Sequence, residues 1–308
     1  MAEVTSESER LAPLFGISIL PAARGIQRAE SLAQLADSSG LDFVTIQDHP
    51  YNGTFLDTWT LFAVLGGKTQ RVRLLPNVLN LPLRPPAMLA KAAASLDLLT
   101  GGRFELGLGA GAFWEGVTSY GGPQRAPGEA LGALEEGMRV MRLLWEPGRQ
   151  PVNFSGRYYQ VREAQPGPPP AHSIGIWIGG YGPRMLQLIG QQADGWIVSA
   201  GYVPPEEIPA KQEIIDAAAQ QAGRPQAAIR RAYNLAGAVL RPEETKLTAR
   251  RPGMIIGPVS QWVDTLARYY HELRLDTFIF WAAAPNEEEQ VRRFAEEVAP
   301  AVKAAIGA

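Results

Sequence analysis

Short apolar runs alternate along this chain with longer stretches in which apolar residues recur every three or four positions. The runs LFGISI (14–19), DFVTIQD (42–48), RVRLLPNVLN (71–80), RFELGLG (103–109), IGIWIGG (174–180), GWIVSA (195–200), 229–240 and DTFIFW (276–281) read as strands. Between them, 24–39, 57–66, 86–99, 131–145, 183–192, 205–222 and 263–273 carry helical periodicity. A last helix opens at Asn286-Glu287-Glu288-Glu289, which has the spacing of a capping box. One interruption breaks the alternation at about 147–173, where PVNFSGRYYQV is strand-like without a following helix and PGPPP is a stiff linker.

Runs without strict alternation suit parallel strands covered on both faces. A doubly wound open sheet fits the order of elements as well. Eight strand–helix repeats in 308 residues favour an α/β fold of the (β/α)8 TIM-barrel type with insertions in the βα loops. The expected organisation is a flexible leader at 1–12 and a single barrel domain over 13–308. In such a barrel, function gathers at the C-terminal ends of the strands.

Composition narrows the chemistry. There is no cysteine, which removes disulfides, thiolate nucleophiles and cysteine-held metal clusters. A net charge of −2 argues against a polyanion partner such as nucleic acid. No apolar run reaches the roughly 18 residues of a membrane span, and the acidic start MAEVTSESER is unlike a secretory signal, so a cytoplasmic protein is expected. Three dispersed histidines form no compact metal site, and no Gly-x-Ser-x-Gly elbow is present.

Four strand ends carry candidate chemistry. Asp48 and His49 close the second run, and histidine is the side chain most readily tuned for proton transfer near neutral pH. The bland reading is a turn-capping Asp beside a rim His. Asn77 and Asn80 end the third run, where they bond either a ligand or the backbone. Gly107, Gly109 and Gly111 permit close approach of a flat ligand, or serve packing alone; Phe113, Trp114 and Glu115 follow them. At Gly180, Tyr181, Gly182 and Arg184, a glycine-rich turn precedes Pro183 at a helix start, which favours an anion or is a plain turn. His172 and His271 read as structural or solvated.

The segments PAMLAKAAASLDLLTGGRFELGLGAG (86–111), PVNFSGRYYQV (151–161) and GGYGPRMLQLIGQQADGWI (179–197) resemble the luciferase-like monooxygenase superfamily, the flavin- and deazaflavin-dependent TIM-barrel oxidoreductases. The resemblance spans about 14–302 and accounts for the interruption as the family's insertion region. It implies a cofactor ring over the barrel mouth, lined by Asn77, Val78, Gly109 and Gly111, with phosphate held by Gly180, Tyr181, Gly182 and Arg184. It also implies a non-proline cis peptide at Asn77–Val78 beneath the ring. His49 becomes the proton donor or acceptor, and Asp48 orients His49 or bonds the ring.

This pairing favours coenzyme F420 over FMN, with hydride moving between the deazaflavin and a small apolar substrate. One alternative is an FMN-dependent monooxygenase fed by a separate reductase; another is a flavin-binding barrel without catalysis. The family's sugar-phosphate dehydrogenases carry a Glu where Ala112 stands and a Trp where this chain reads Pro50, Tyr51, Asn52. Tyr51, Phe113, Trp114, Trp177 and Trp281 are the expected walls of a substrate pocket. Relatives often pair as homodimers, so a homodimer is also expected.

Overall fold

The computed structural model describes residues 10–148, 150–241, 243–244 and 252–307. In chain order it contains β1 (Leu14–Ile19), α1 (Ile26–Ser38), β2 (Phe43–Ile46), α2 (Thr58–Lys68), β3 (Arg73–Pro76), β4 (Leu79–Asn80) and α3 (Pro86–Thr100). These are followed by β5 (Leu106–Gly109), α4 (Trp114–Ser119), α5 (Pro127–Trp145), β6 (Val152–Ser155), β7 (Gln160–Ala164), β8 (Ile176–Gly179) and α6 (Pro183–Gln192). The chain closes with β9 (Gly195–Ser199), α7 (Ile208–Gln221), β10 (Arg230–Val239), β11 (Ile255–Gly257), α8 (Val259–Leu273), β12 (Thr277–Ala282), α9 (Glu287–Arg293) and α10 (Ala299–Ala305). All eight expected strands are present. The third is split, and residues 1–9 of the expected leader lie outside the described residues.

The chain divides into two compact units. One comprises the described residues of Met1–Ser18, Leu35–Val44 and Gly180–Ala308. Its strands are parallel: β1 pairs β12 from Leu14↔Thr277, β12 pairs β10 from Thr277↔Ala232, and β10 pairs β9 from Arg230↔Gly195. The short β11 pairs the far end of β10 from Gly237↔Ile255. Its core is aromatic: Phe280 stacks on Phe294 at 4.6 Å, and Trp262 meets Phe280 edge-on while its indole N–H donates to the Ala238 carbonyl at 3.1 Å. Asn286 stands at the N-cap of α9 without a side-chain cap bond, so the capping box read from the spacing does not form. A hollow of about 90 Å³ lies at the N-terminal ends of β10 and β12, lined in part by Arg10, Gln212, Arg231, Tyr270, Arg274 and Asp276. Arg231 and Arg274 both bond Asp216 at 2.8 and 2.6 Å, a structural ion-pair network at the strand ends where stability, not chemistry, usually resides.

The other unit comprises Ile19–Gln34 and Thr45–Gly179. In it β4 pairs β5 and β5 pairs β8, again in parallel, and β3 joins through a Leu74↔Phe104 bridge. The third run is split into β3, which ends at Pro76, and β4, which begins at Leu79; the Asn77–Val78 peptide between them is cis. Proline opens α3 and α5, and Gly101 ends α3 in the left-handed region at φ 70°. The strand-to-helix connection after β5 carries the extra helix α4. The expected interruption is an antiparallel hairpin of β6 and β7 on the return from α5 to β8. Glu136 on α5 grips its turn, accepting from the backbone N–H groups of Arg157 (2.8 Å), Tyr158 (2.8 Å) and Tyr159 (3.1 Å).

Glycine positions in this unit are set by close backbone approach. A Cβ on Gly107 would stand 1.8 Å from the Pro76 carbonyl oxygen, which is backbone and cannot turn away. Gly107→Ala is therefore expected to destabilise the fold by about 3 kcal/mol or more. Gly67, inside α2 with no atom within 4 Å of a Cβ, is expected to gain about 0.5–1 kcal/mol as Ala. Urea unfolding of both variants measures the contrast.

His172 is structural. Its Nδ1 lies 2.9 Å from Asp97 Oδ1 and its Nε2 3.6 Å from Glu105 Oε1. Glu105 first, then Asp97, raise its pKa to about 9 against the opposing cost of burial. Because the folded value lies above the ordinary 6.5, this stabilisation is complete below about pH 6.5 and fades as pH rises through about 9. Unfolding free energy measured from pH 6 to 10 is expected to fall across that window, and His172→Gln is expected to flatten the slope.

Candidate active site

In the second unit the candidate residues stand at the C-terminal ends of parallel strands, where a barrel displays its chemistry. Beyond β2 the chain is extended, and successive side chains point to opposite sides. Asp48 turns inward and is only 2% exposed; His49 turns outward. Buried carboxylates need paired donors, and Asp48 has three. Its Oδ2 accepts from the Asn80 backbone N–H at 2.9 Å and from Arg84 Nε at 3.0 Å, and its Oδ1 accepts from Arg84 Nη2 at 2.9 Å. The same Nη2 donates to Asp57 Oδ2 at 2.7 Å, and Asp57 caps α2 through the Thr60 N–H at 2.8 Å. Burial disfavours the Arg84 charge, yet bonds to Asp48 and Asp57 outweigh it and push its pKa upward. Burial likewise works against the Asp57 charge, but Arg84 and the Thr60 N–H hold its pKa below the ordinary value.

Asp48 thus spends its acceptors on Arg84 and the β4 backbone, where the sequence pointed to orientation of His49 or a bond to a ring. The partner of His49 is Tyr51, whose hydroxyl lies 2.8 Å from Nδ1. Loss of solvation lowers the His49 pKa below 6.5 against the pull of the Asp48 charge. Tyr51 packs edge-on against Phe113 at 5.2 Å, and Gly116 leaves room for it: a Cβ there would come within 2.7 Å of the Tyr51 ring. Burial raises the Tyr51 pKa, so its hydroxyl stays neutral. The Asn80 side chain lies beside that hydroxyl, and Asn80 Oδ1 is buried without a partner.

The glycines of the GLGAG segment face protein. Val78 occupies the space above both Gly109 and Gly179, its methyl carbon 2.9 and 3.0 Å from where their Cβ atoms would be. Trp114 and Pro82 fill the space at Gly111, whose φ is 98°. These residues seat the Asn77–Val78 segment, which leaves Asn77 and Val78 half-buried at the strand ends. Phe113 is exposed and Trp114 half-buried, whereas Trp177 is buried in β8 opposite Gly107.

In the first unit, Gly182 stands at the N-cap of α6, a helix with Pro183 in its first turn and no side-chain cap. No atom lies within 4 Å of a Cβ placed on Gly182, and Tyr181 and Arg184 are exposed beside it. Trp196 fixes the turn, its indole N–H donating to the Gly180 carbonyl at 2.7 Å. Tyr181 stacks on Tyr202 at 6.3 Å, and Trp281, near the end of β12, is 39% exposed. Unsatisfied first-turn N–H groups, open space and a guanidinium form a donor set suited to an anion. Among the described residues no cluster of His, Asp and Glu suits a metal ion, and no helix is long and apolar enough to cross a membrane.

Sequence reasoning missed Arg84 and Asp57 and left Asn80 undecided. Arg84 was visible as the one cation in NLPLRPP, a segment otherwise lacking charge.

Relatives place this geometry in context. The chain is 32% identical over 212 residues to 5,10-methylenetetrahydromethanopterin reductase of Archaeoglobus fulgidus, covering 68% of this chain and 59% of that protein. It is 33% identical over 186 residues to an F420-dependent glucose-6-phosphate dehydrogenase of Nocardia farcinica, covering 58% and 54%. The chain thus spans only a little over half the length of these relatives. In structure it is similar to an F420-dependent secondary alcohol dehydrogenase solved with an F420–acetone adduct (TM-score 0.83, 20% identity, 95% and 99% coverage). A monooxygenase from Streptomyces bottropensis is similar at TM-score 0.77 and 20% identity, covering 93% and 99%. This likeness shows the fold, a (β/α)8 TIM barrel. The profile described as luciferase-like monooxygenase matches residues 13–306, and the chain belongs to that family.

Proposed function

We propose that the protein is an oxidoreductase that moves a hydride between coenzyme F420 and a small apolar organic substrate, with His49 carrying the substrate proton. The observation that carries this reading is His49 itself: displayed at a strand end and tied at Nδ1 to Tyr51, with loss of solvation drawing its pKa below the ordinary value. The F420-dependent relatives at 33–34% identity support the choice of cofactor. The residues present fit such a group. Each unit, taken by itself, holds residues of the kind such a group needs: in the first, the open, uncapped start of α6 with Gly180, Gly182 and Arg184 suits a phosphate; in the second, Asn77 and Val78, seated on Gly109 and Gly179, suit a ring.

When bound, a deazaflavin supplies a two-electron hydride carrier; the protein supplies position and a proton acceptor. In the oxidative direction neutral His49 takes a proton at Nε2 from a substrate hydroxyl, and in the reductive direction its protonated form returns it. Phe113 and Tyr51 offer an apolar wall to the substrate, and the family's alternative, an FMN monooxygenase with a partner reductase, shares the barrel but has no comparable support from the relatives at 33–34% identity.

Binding and turnover test this reading. Purified protein is expected to bind F420 in preference to FMN by fluorescence titration; tight FMN binding without F420 binding would overturn the order. His49→Ala is expected to lower turnover by about 10²–10⁴-fold while leaving F420 affinity within about threefold. Because His49 must be neutral to accept the proton, kcat/KM for oxidation is expected to fall on the acid side, at a pH below 6.5.

A further inference from the structure

The hollow of about 90 Å³ at the N-terminal ends of β10 and β12, in the first unit, carries more positive charge on its walls than its carboxylates balance. We propose that it is a binding site for a short aliphatic carboxylate, a site that stands whether or not the protein transfers hydride. Two features carry this: an uneven set of charges, and an apolar lining that suits a small carbon tail.

Three guanidinia line the hollow, those of Arg10, Arg231 and Arg274, and a fourth, Arg230, lies 3.4 Å from Asp276. Among the described residues their carboxylate partners are two, Asp216 and Asp276. Asp216 serves two cations at once, Arg231 Nη2 at 2.8 Å and Arg274 Nη2 at 2.6 Å. Asp276, the one acid on the wall, is already engaged. Its Oδ1 accepts from Thr277 Oγ1 at 2.7 Å as well as facing Arg230, and its Oδ2 accepts from the Arg231 backbone N–H at 3.1 Å. Arg10 has no carboxylate partner among the described residues; its Nη1 lies 3.4 Å from both the Tyr270 carbonyl and His271 Nδ1. Arg231 is 4% exposed, so its charge is held away from water beside a carboxylate that it shares. A further anion is attracted most strongly by such a group, because solvent does little to dilute the interaction.

The lining also includes Leu11, Ile229 and Tyr270, which offer a seat to carbon and not to a second charge. A forked guanidinium matches a planar carboxylate through two parallel N–H···O bonds. The volume is that of about three waters at about 30 Å³ each, which suits a carboxylate carrying about two or three carbons.

Ligand-observed NMR titration of the full chain without cofactor, at constant ionic strength, tests this with sodium butyrate as the probe. Saturable one-to-one binding is expected with a Kd of about 1 mM or tighter, within reach of so small a ligand. Butyramide, similar in shape but uncharged, and inorganic phosphate, which is tetrahedral, are each expected to bind at least about tenfold more weakly. Arg274→Gly removes one guanidinium at a backbone position, φ 49° and ψ 32°, that glycine adopts freely, and Asp216 keeps Arg231. This variant is expected to fold and to lose about tenfold in butyrate affinity. Arg10→Gln leaves no described carboxylate unpaired and is expected to lose about threefold to fivefold. Arg184→Gln, at the start of α6, is expected to leave butyrate affinity within about twofold, which separates this hollow from the donor set at that helix start. Absence of saturation well above 1 mM, equal affinity for butyramide or phosphate, or undiminished affinity in both Arg274→Gly and Arg10→Gln would overturn the assignment.

Discussion

A carboxylate buried with a forked guanidinium holds the second unit's working edge in shape. Asp48 is nearly sealed from water, and without Arg84 its charge would be prohibitive to bury. With Arg84 at 2.9–3.0 Å on both oxygens, and the Asn80 N–H added, the penalty is offset by three charge-assisted bonds. The same guanidinium reaches Asp57 at the start of α2. Asp48 thus ties the end of β2 to β4 through the Asn80 N–H and, through Arg84, to Asp57 at the head of α2, and His49 is displayed from that knot.

Space in this unit is exchanged between strands with similar economy. Gly107, Gly109 and Gly179 give up their side chains to Pro76 and Val78, which lets the broken third strand lie flush against β5 and β8. The glycines create a seat, and the seat in turn presents Asn77 and Val78. Their contribution to a bound ring is indirect, through the segment they support.

Much of the fold was legible because parallel strands covered on both faces leave unbroken apolar runs, and LFGISI and GWIVS mark β1 and β9 almost residue for residue. The helix α4 and the strand β11 were not legible: each is too short for its periodicity to stand out. Within the candidate site, strand-end position pointed to Asp48 and His49. Adjacency suggested that they bond each other, but neighbours on an extended chain diverge, and each found its partner elsewhere. The partner of Asp48 is 36 residues away, a separation that no local pattern encodes. The glycines were legible as sites of close approach, though not what approaches them, since the same freedom serves a ligand or a neighbouring strand.

The clasp between Glu136 and the β6–β7 hairpin has a consequence of its own. Its oxygens grip three consecutive main-chain amides and read no side chain. An anchor of that kind places no demand on the side chains of the three residues it holds, but it does demand a glycine beside them: a Cβ on Gly156 would stand 2.3 Å from Glu136 Oε2. The mooring of the hairpin to α5 therefore rests on one carboxylate and on one missing side chain, and the two positions are bound to each other.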